Sequence, residues 1–146
     1  MRPILSNSCA RAATAAEARF RIDRPIGGRA ALVVALDDAA AGVVERVAEQ
    51  PWRGARFLRA TAGTAIEAEV ADTDLAIMVA TRDADGDLAS AIARACTERG
   101  IMTAGLILGA RLDVTAAVSA LRPYARNLMV TEDEDDVAEV LTALRA

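Results

Sequence analysis

The feature that most constrains this chain is a repeating alternation. Short unbroken apolar runs of strand length are each followed by a stretch whose apolar residues recur at helical spacing. Ala30–Leu36 (AALVVAL) is the first run; a strand apolar at every position, rather than at every second one, must be covered on both faces. Asp37 and Asp38 follow, then a helix with Ala40, Val43, Val44, Val47 and Ala48 on one face, stopped by Pro51 and Gly54. Ala55–Ala60 reads as a second strand, Thr64–Val70 as a short helix and Leu75–Ala80 as a third buried strand. The next helix, Asp87–Arg99, puts Leu88, Ala91, Ile92, Ala95 and Cys96 on its apolar stripe, and Gly100 stands where a left-handed residue would end it. Thr103–Leu108 is a fourth strand, leading to a helix that carries Val114, Ala117, Val118 and Leu121 and has Pro123 near its end. Asn127–Thr131 is a fifth strand, and Val137, Val140, Leu141 and Leu144 stripe the last helix.

Strands alternating with helices predict right-handed crossovers and a parallel sheet with helices on both faces. The expected fold is a three-layer, doubly wound α/β domain with five parallel strands in the order 2-1-3-4-5, a Rossmann/flavodoxin-like arrangement. A chain of 146 residues holds one such domain, here residues 30–146, preceded by a segment 1–29. Composition agrees: 53% of residues are apolar, with 35 alanines against two Phe, one Tyr and one Trp. That mixture favours helices lying close on a sheet and argues against an aromatic-lined ligand pocket.

Two absences remove whole classes of chemistry. There is no histidine, which excludes Ser-His-Asp and Cys-His catalysis, His-ligated zinc or haem, and a histidine pH switch. There is also no lysine, since all 17 basic residues are arginine, which excludes a Walker-type phosphate lysine, a Schiff base and a lysine general base. Coding bias in a GC-rich genome accounts for both the arginine and the alanine. Cys9 and Cys96 form neither a disulfide framework nor a zinc motif and read as reduced thiols of a cytoplasmic protein. No apolar run reaches 18 residues, and the N-terminus lacks a continuous apolar h-region, so neither a membrane span nor a secretory signal is expected.

Charge divides the chain. Residues 1–29 hold six arginines (Arg2, Arg11, Arg19, Arg21, Arg24, Arg29) against Glu17 and Asp23, a balance of +4, whereas residues 30–146 hold 11 arginines against 19 acids, a balance of −8. Within the basic segment Ala10–Arg19 is a strong helix former, Arg19–Asp23 alternates as a strand does, and Pro25, Gly27 and Gly28 punctuate the approach to the core. We read 1–29 as a basic N-terminal arm. It lacks the interleaved aromatics and Gly-rich repeats of a nucleic-acid-binding segment, and the acidic body of its own domain is an equally good electrostatic partner, so a nucleic-acid partner is not expected.

In sheets of this order, ligands bind beyond the carboxyl ends of the strands, where the first and third strands part. The segments arriving there are Leu36–Gly42, Thr81–Asp87, Gly109–Asp113 and Thr131–Asp136. A phosphate-binding first turn needs glycines so that helix-start N–H groups can approach an anion. This turn offers two carboxylates and three alanines, and neither G-x-G-x-x-G nor G-x-x-x-x-G-K-[ST] occurs in the chain. The candidate rim is instead acidic: Asp37, Asp38, Asp83, Asp85 and Asp87. Oxygen ligands of this kind suit Mg²⁺ or Ca²⁺, although Asp83–Asp87 is not an EF-hand loop, and Asp at a helix start caps free N–H groups without any metal. No organic cofactor is predicted. Cys96 reads as core, Ser90 and Thr81 have no base partner in the sequence, and Trp52, beside Pro51 and Arg53, reads as a packing lid before the second strand.

Leu32–Gly63 (LVVALDDAAAGVVERVAEQPWRGARFLRATAG) resembles, in length and apolar pattern, the first strand, glycine-rich turn, helix and second strand of the nucleotide-binding half of the FtsZ/tubulin family. Asp72–Gly109 likewise resembles that family's later strand, signature loop, helix and following strand. The family's first-turn glycines correspond to Asp37, Asp38, Ala40 and Ala41, and its GGGTGTG loop to Thr81–Leu88, which keeps only Gly86. Ala31–Asp38, with Asp85 and Gly86 further on, also resembles a response-regulator receiver, with Val79 or Ala80 in place of the phosphoacceptor aspartate and Thr131 in place of the lysine. Ala76–Ile107 resembles sugar-isomerase (SIS) domains without their serine-rich phosphate loop. Each resemblance implies the α/β fold and none of the activity, because the residues that would carry the activity are replaced.

The reading that follows is a cytoplasmic, non-catalytic α/β module that works through protein contacts, as a homo-oligomer or with a protein partner. The alternative is a small-molecule or divalent-metal-dependent enzyme whose site is the acidic strand-end rim.

Overall fold

In a computed structural model describing residues 29–146, the apolar runs form strands β1 (Ala31–Ala35), β2 (Ala55–Arg59), β3 (Leu75–Ala80), β4 (Met102–Leu108) and β5 (Asn127–Thr131). Between and after them lie helices α1 (Asp38–Ala48), α2 (Ile66–Glu69), α3 (Gly86–Glu98), α4 (Thr115–Leu121) and α5 (Asp135–Ala143). The sheet order is β2-β1-β3-β4-β5, and every neighbouring pair is parallel. This is the doubly wound, flavodoxin-like arrangement predicted from the alternation of elements. The basic arm and Cys9 lie outside the described residues, apart from Arg29, whose N–H donates to the Arg145 carbonyl at 2.7 Å and ties the entry of the domain to its C-terminus.

Strand parity sorts the core into two layers. Leu32 and Val34 of β1 join Ala76, Met78 and Ile107 under α2, α3 and α4. Val33 and Ala35 join Ile77, Val79, Leu106 and Leu108 under α1 and α5. All residues of β1 and β3 are buried, as their continuous apolar runs require. Each fully buried Leu, Ile or Val contributes about 1.5–3 kcal/mol, so these two strands hold the domain together. Alanines at the contact surfaces (Ala35, Ala40, Ala41, Ala76, Ala80, Ala89) let the helices settle close to the sheet.

Two helices bury a face slightly different from the predicted stripe. On α1 Ala48 is exposed and Ala41 is buried instead. On α3 Ala91 is exposed, while Ala89 and Ala93 are buried. The cause is lateral: α3 touches α2 on one side and α4 on the other as well as the sheet below, so its buried arc is wider than a single stripe. Its C-terminus is as expected. Gly100 has φ +67°, its N–H donates to the Thr97 carbonyl, and Ile101 N–H reaches back to Cys96 O at 2.9 Å, which is the Schellman pattern. Among the described residues no helix is long and apolar enough to cross a membrane.

Gly105 is required for a different reason. It lies in β4 opposite Leu128 of β5, and a Cβ there would stand 2.6 Å from Leu128 Cδ1 and 3.1 Å from Ala125 Cβ. We therefore expect Gly105→Ala to overpack the α4–β5 side of the core and to cost about 1–3 kcal/mol. In urea melts its midpoint should fall while the slope stays the same; an unchanged midpoint would show that Leu128 can move aside freely.

Candidate functional site

The five aspartates of the predicted rim are placed by two strand ends. β1 stops at Ala35, and Asp37, two residues on, is the N-cap of α1; β3 stops at Ala80, and Asp85 is the N-cap of α3. Asp37 Oδ1 accepts from Ala40 N–H at 2.8 Å, and Asp85 Oδ1 accepts from the N–H groups of Asp87 and Leu88 at 2.9 and 3.1 Å. The caps are thus Asp37 and Asp85, whereas Asp38 and Asp87 lie in the first turns of their helices, where their charge favours the helix dipole.

Asp37 does more than cap. Thr81, the first residue after β3, donates its backbone N–H to Asp37 Oδ2 at 2.7 Å and its hydroxyl to Oδ1 at 3.0 Å. One half-buried carboxylate therefore takes three donors and joins the ends of β1 and β3, the neighbouring strands whose connections leave to opposite faces at the switch point. Asp38 is exposed and ion-paired with Arg59 at the end of β2. Asp83 stands 4.0 Å from its neighbour Arg82, and both are exposed, an arrangement worth little. The structure thus brings Asp37 to Thr81 and Asp38 to Arg59, but does not gather the five aspartates. Among the described residues no three Asp, Glu or Cys side chains lie close enough to hold a metal ion.

The rest of the rim is similarly self-contained. Thr131, at the end of β5, donates its hydroxyl to Asp136 and accepts from Asp133 N–H at 3.1 Å. Arg46 of α1 grips Glu134, at the start of α5, through Nε at 3.1 Å and Nη2 at 2.7 Å. That hydrogen-bonded pair raises the Arg46 pKa further, so the guanidinium stays charged at any working pH. Trp52 fulfils its predicted packing role: its indole N–H donates to the Val47 carbonyl at 2.8 Å near the C-terminus of α1, and its ring lies 6.3 Å from that of Phe57.

The clasp corrects the sequence expectation that Thr81 has no base partner, since its hydroxyl meets the Asp37 carboxylate. The signal for it was topological, since the first residues after β1 and β3 must meet at the switch point of a 2-1-3-4-5 sheet. Thr81 there offers both an N–H and a hydroxyl.

Cys96, the only thiol among the described residues, has no exposed surface. Burial pushes its pKa above the ordinary 9.0, with Arg99 pulling weakly the other way. It is packing, not a nucleophile. The chain matches no protein-family model and no curated protein in sequence.

Two predictions follow from this geometry. Asp37→Ala removes a cap and strands the Thr81 N–H, at a cost of about 2–3 kcal/mol. Asp37→Asn keeps one acceptor and places an amide donor against Thr81, at a cost of about 1–2 kcal/mol. Asp38→Asn and Asp83→Asn should each stay within about 0.5 kcal/mol of the parent. Urea denaturation of the four variants measures the order, and equal costs at positions 37 and 38 would contradict the clasp.

With Cys9 replaced by Ser, a thiol reagent should modify Cys96 only as fast as the domain opens. Because the folded thiol has the higher pKa, its contribution to stability is intact below about pH 9 and declines as pH rises past the unfolded value. Labelling of the native state at the rate of a free thiol would refute the burial.

Proposed function

We propose that this chain is a non-catalytic α/β module that acts through protein contacts rather than through chemistry at its strand ends. One observation carries the reading. At the head of α1, where this fold presents helix-start N–H groups to a ligand anion, the chain's own Asp37 carboxylate takes the donors, from Ala40 and from Thr81. A ligand seated there would have to displace a carboxylate holding three hydrogen bonds, and a phosphate would meet Asp38 next to it. Of the other rim acids, Asp85 caps α3 and Asp38 is ion-paired with Arg59, and Cys96 is inaccessible. The absence of histidine and lysine from the whole sequence points the same way.

Two clefts on the described surface are compatible with this reading. One of about 380 Å³ lies between α2 and α3, bordered by Thr64, Glu67, Arg94 and Glu98, and another of about 330 Å³ lies along α1 and β2 near Glu45 and Arg59. Neither is lined by Asp37 or Thr81.

The test is a thermal-shift screen of the full chain against GTP, ATP, sugar phosphates, Mg²⁺, Ca²⁺ and Mn²⁺. A true ligand at 100 times its dissociation constant adds about 2.7 kcal/mol, a rise of roughly 5–10 °C for a domain of this size. We expect no shift of that size. A rise with a divalent ion that disappears in the Asp38→Asn/Asp83→Asn double variant would replace our reading with the acidic-rim enzyme. A rise with a nucleotide or sugar phosphate would mean that the clasp opens to admit an anion.

A further inference from the structure

The two edges of the sheet are built differently. In β2 the exposed residues are Arg56 and Arg59, each held by an acid: Arg56 by Glu69, through both its carboxylate and its carbonyl, and Arg59 by Asp38. Arginines on an edge strand discourage another strand from pairing there. Among the described residues β5 has no such guard. Its five residues, Asn127–Thr131 (NLMVT), include no charge and no proline; Met129 is 39% exposed, and Leu128 and Val130 are only partly covered.

The backbone of β5 is half used. Thr131 O accepts from Gly109 N–H at 2.9 Å, and with Thr131 opposite Leu108 this turns the backbone groups of Asn127, Met129 and Thr131 toward β4. Backbone direction alternates along a strand, so the N–H and C=O of Leu128 and Val130 point away from the sheet. Arg126 and Glu132 bracket the strand, both exposed and neither in an ion pair among the described residues.

We propose that β5 is a self-complementary edge on which a second copy of this chain docks, antiparallel, about a two-fold axis at Met129. In that register Leu128 of each copy faces Val130 of the other, so the outward N–H and C=O groups of both strands are matched. Met129 meets its own counterpart in the closer, non-hydrogen-bonded position. The same register sets Arg126 of each copy opposite Glu132 of the other, twice by symmetry. Moving the axis to Leu128 puts Arg126 against Val130, and moving it to Val130 puts Leu128 against Glu132. Only the Met129-centred pairing satisfies charge, backbone and apolar side chains together. A two-fold contact of this kind is isologous and closed, so it stops at a dimer with one continuous ten-stranded sheet. The inference deepens the interaction reading above and rests on it for its biological use, not for its geometry.

The test is sedimentation equilibrium of the full chain from roughly 10 to 500 µM, a range suited to a short strand-pair interface. The parent should shift from monomer to dimer across it. Val130→Pro leaves the β4 ladder intact, because that N–H faces outward, and should hold the chain monomeric with an unchanged circular dichroism spectrum. Arg126→Glu should weaken the dimer about tenfold by turning two attractions into repulsions, and adding Glu132→Arg should restore it. A parent monomeric throughout, or a dimer indifferent to these changes, overturns the proposal. So does a dimer lost on deletion of residues 1–28 but not in Val130→Pro, which would assign the contact to the basic arm. A monomeric parent would leave the interaction reading itself untouched, since the ligand screen decides that separately.

Discussion

Burial of β1 and β3 on both faces is the constraint from which the rest of the structure follows. Their backbone N–H and C=O groups have only the sheet ladder to bond with, and their side chains alternate between two apolar layers that helices must cover. With only about 118 residues in the described domain, the covering elements are short: α2 is a single turn and α4 just seven residues. Alanine makes this sufficient. Small side chains where helix meets sheet bring the helices close, so short helices still exclude water from the central strands.

At the strand ends the chain has spent its donors on itself. The doubly wound fold produces a crevice where the connections from two neighbouring strands leave to opposite faces, together with a helix N-terminus that favours negative charge. A ligand-binding member leaves both open, with glycines to admit the anion. Here Asp37 supplies the negative charge covalently and Thr81 secures it, so the crevice becomes a joint between β1 and β3. The fold's electrostatic preference is met, but by a side chain. The clasp joins β1 to β3 at a position where this fold commonly binds ligands, and the fold alone says little about activity.

What could be read from the sequence, and what could not, follows from the range of the interactions involved. Ala30–Leu36 and Leu75–Ala80 announce buried parallel strands because their patterning is local, and for a given strand order the handedness of crossovers sets which face each helix covers. Gly100 announces its helix end because the Schellman motif spans only a few residues. Ala93 is buried in place of Ala91 because α3 lies not on the sheet alone: its flanking helices also take part of its surface. At the rim, the aspartates were visible but their roles were not. The choice of Asp37 rather than Asp38 as cap depends on where β1 ends, within one residue, and the Thr81 contact joins residues 44 apart in sequence. Local chemistry named the residue types; only the register of β1 against β3 decided which carboxylate would be engaged.

The edges of the sheet complete this logic. A parallel sheet of five strands has two open sides, and solubility requires each to be blocked or used. β2 is blocked: its arginines are long, charged and anchored by Glu69 and Asp38, so they stay at the edge instead of swinging into solvent. β5 follows the opposite design within the same domain, with an uncharged strand between one base and one acid placed symmetrically about Met129. A strand needs no such symmetry to complete its own sheet, because pairing to β4 depends only on parity. In the proposed antiparallel pairing the equal distances of Arg126 and Glu132 from Met129 are what set each charge opposite its counterpart, and a second copy would supply both without any further change in sequence.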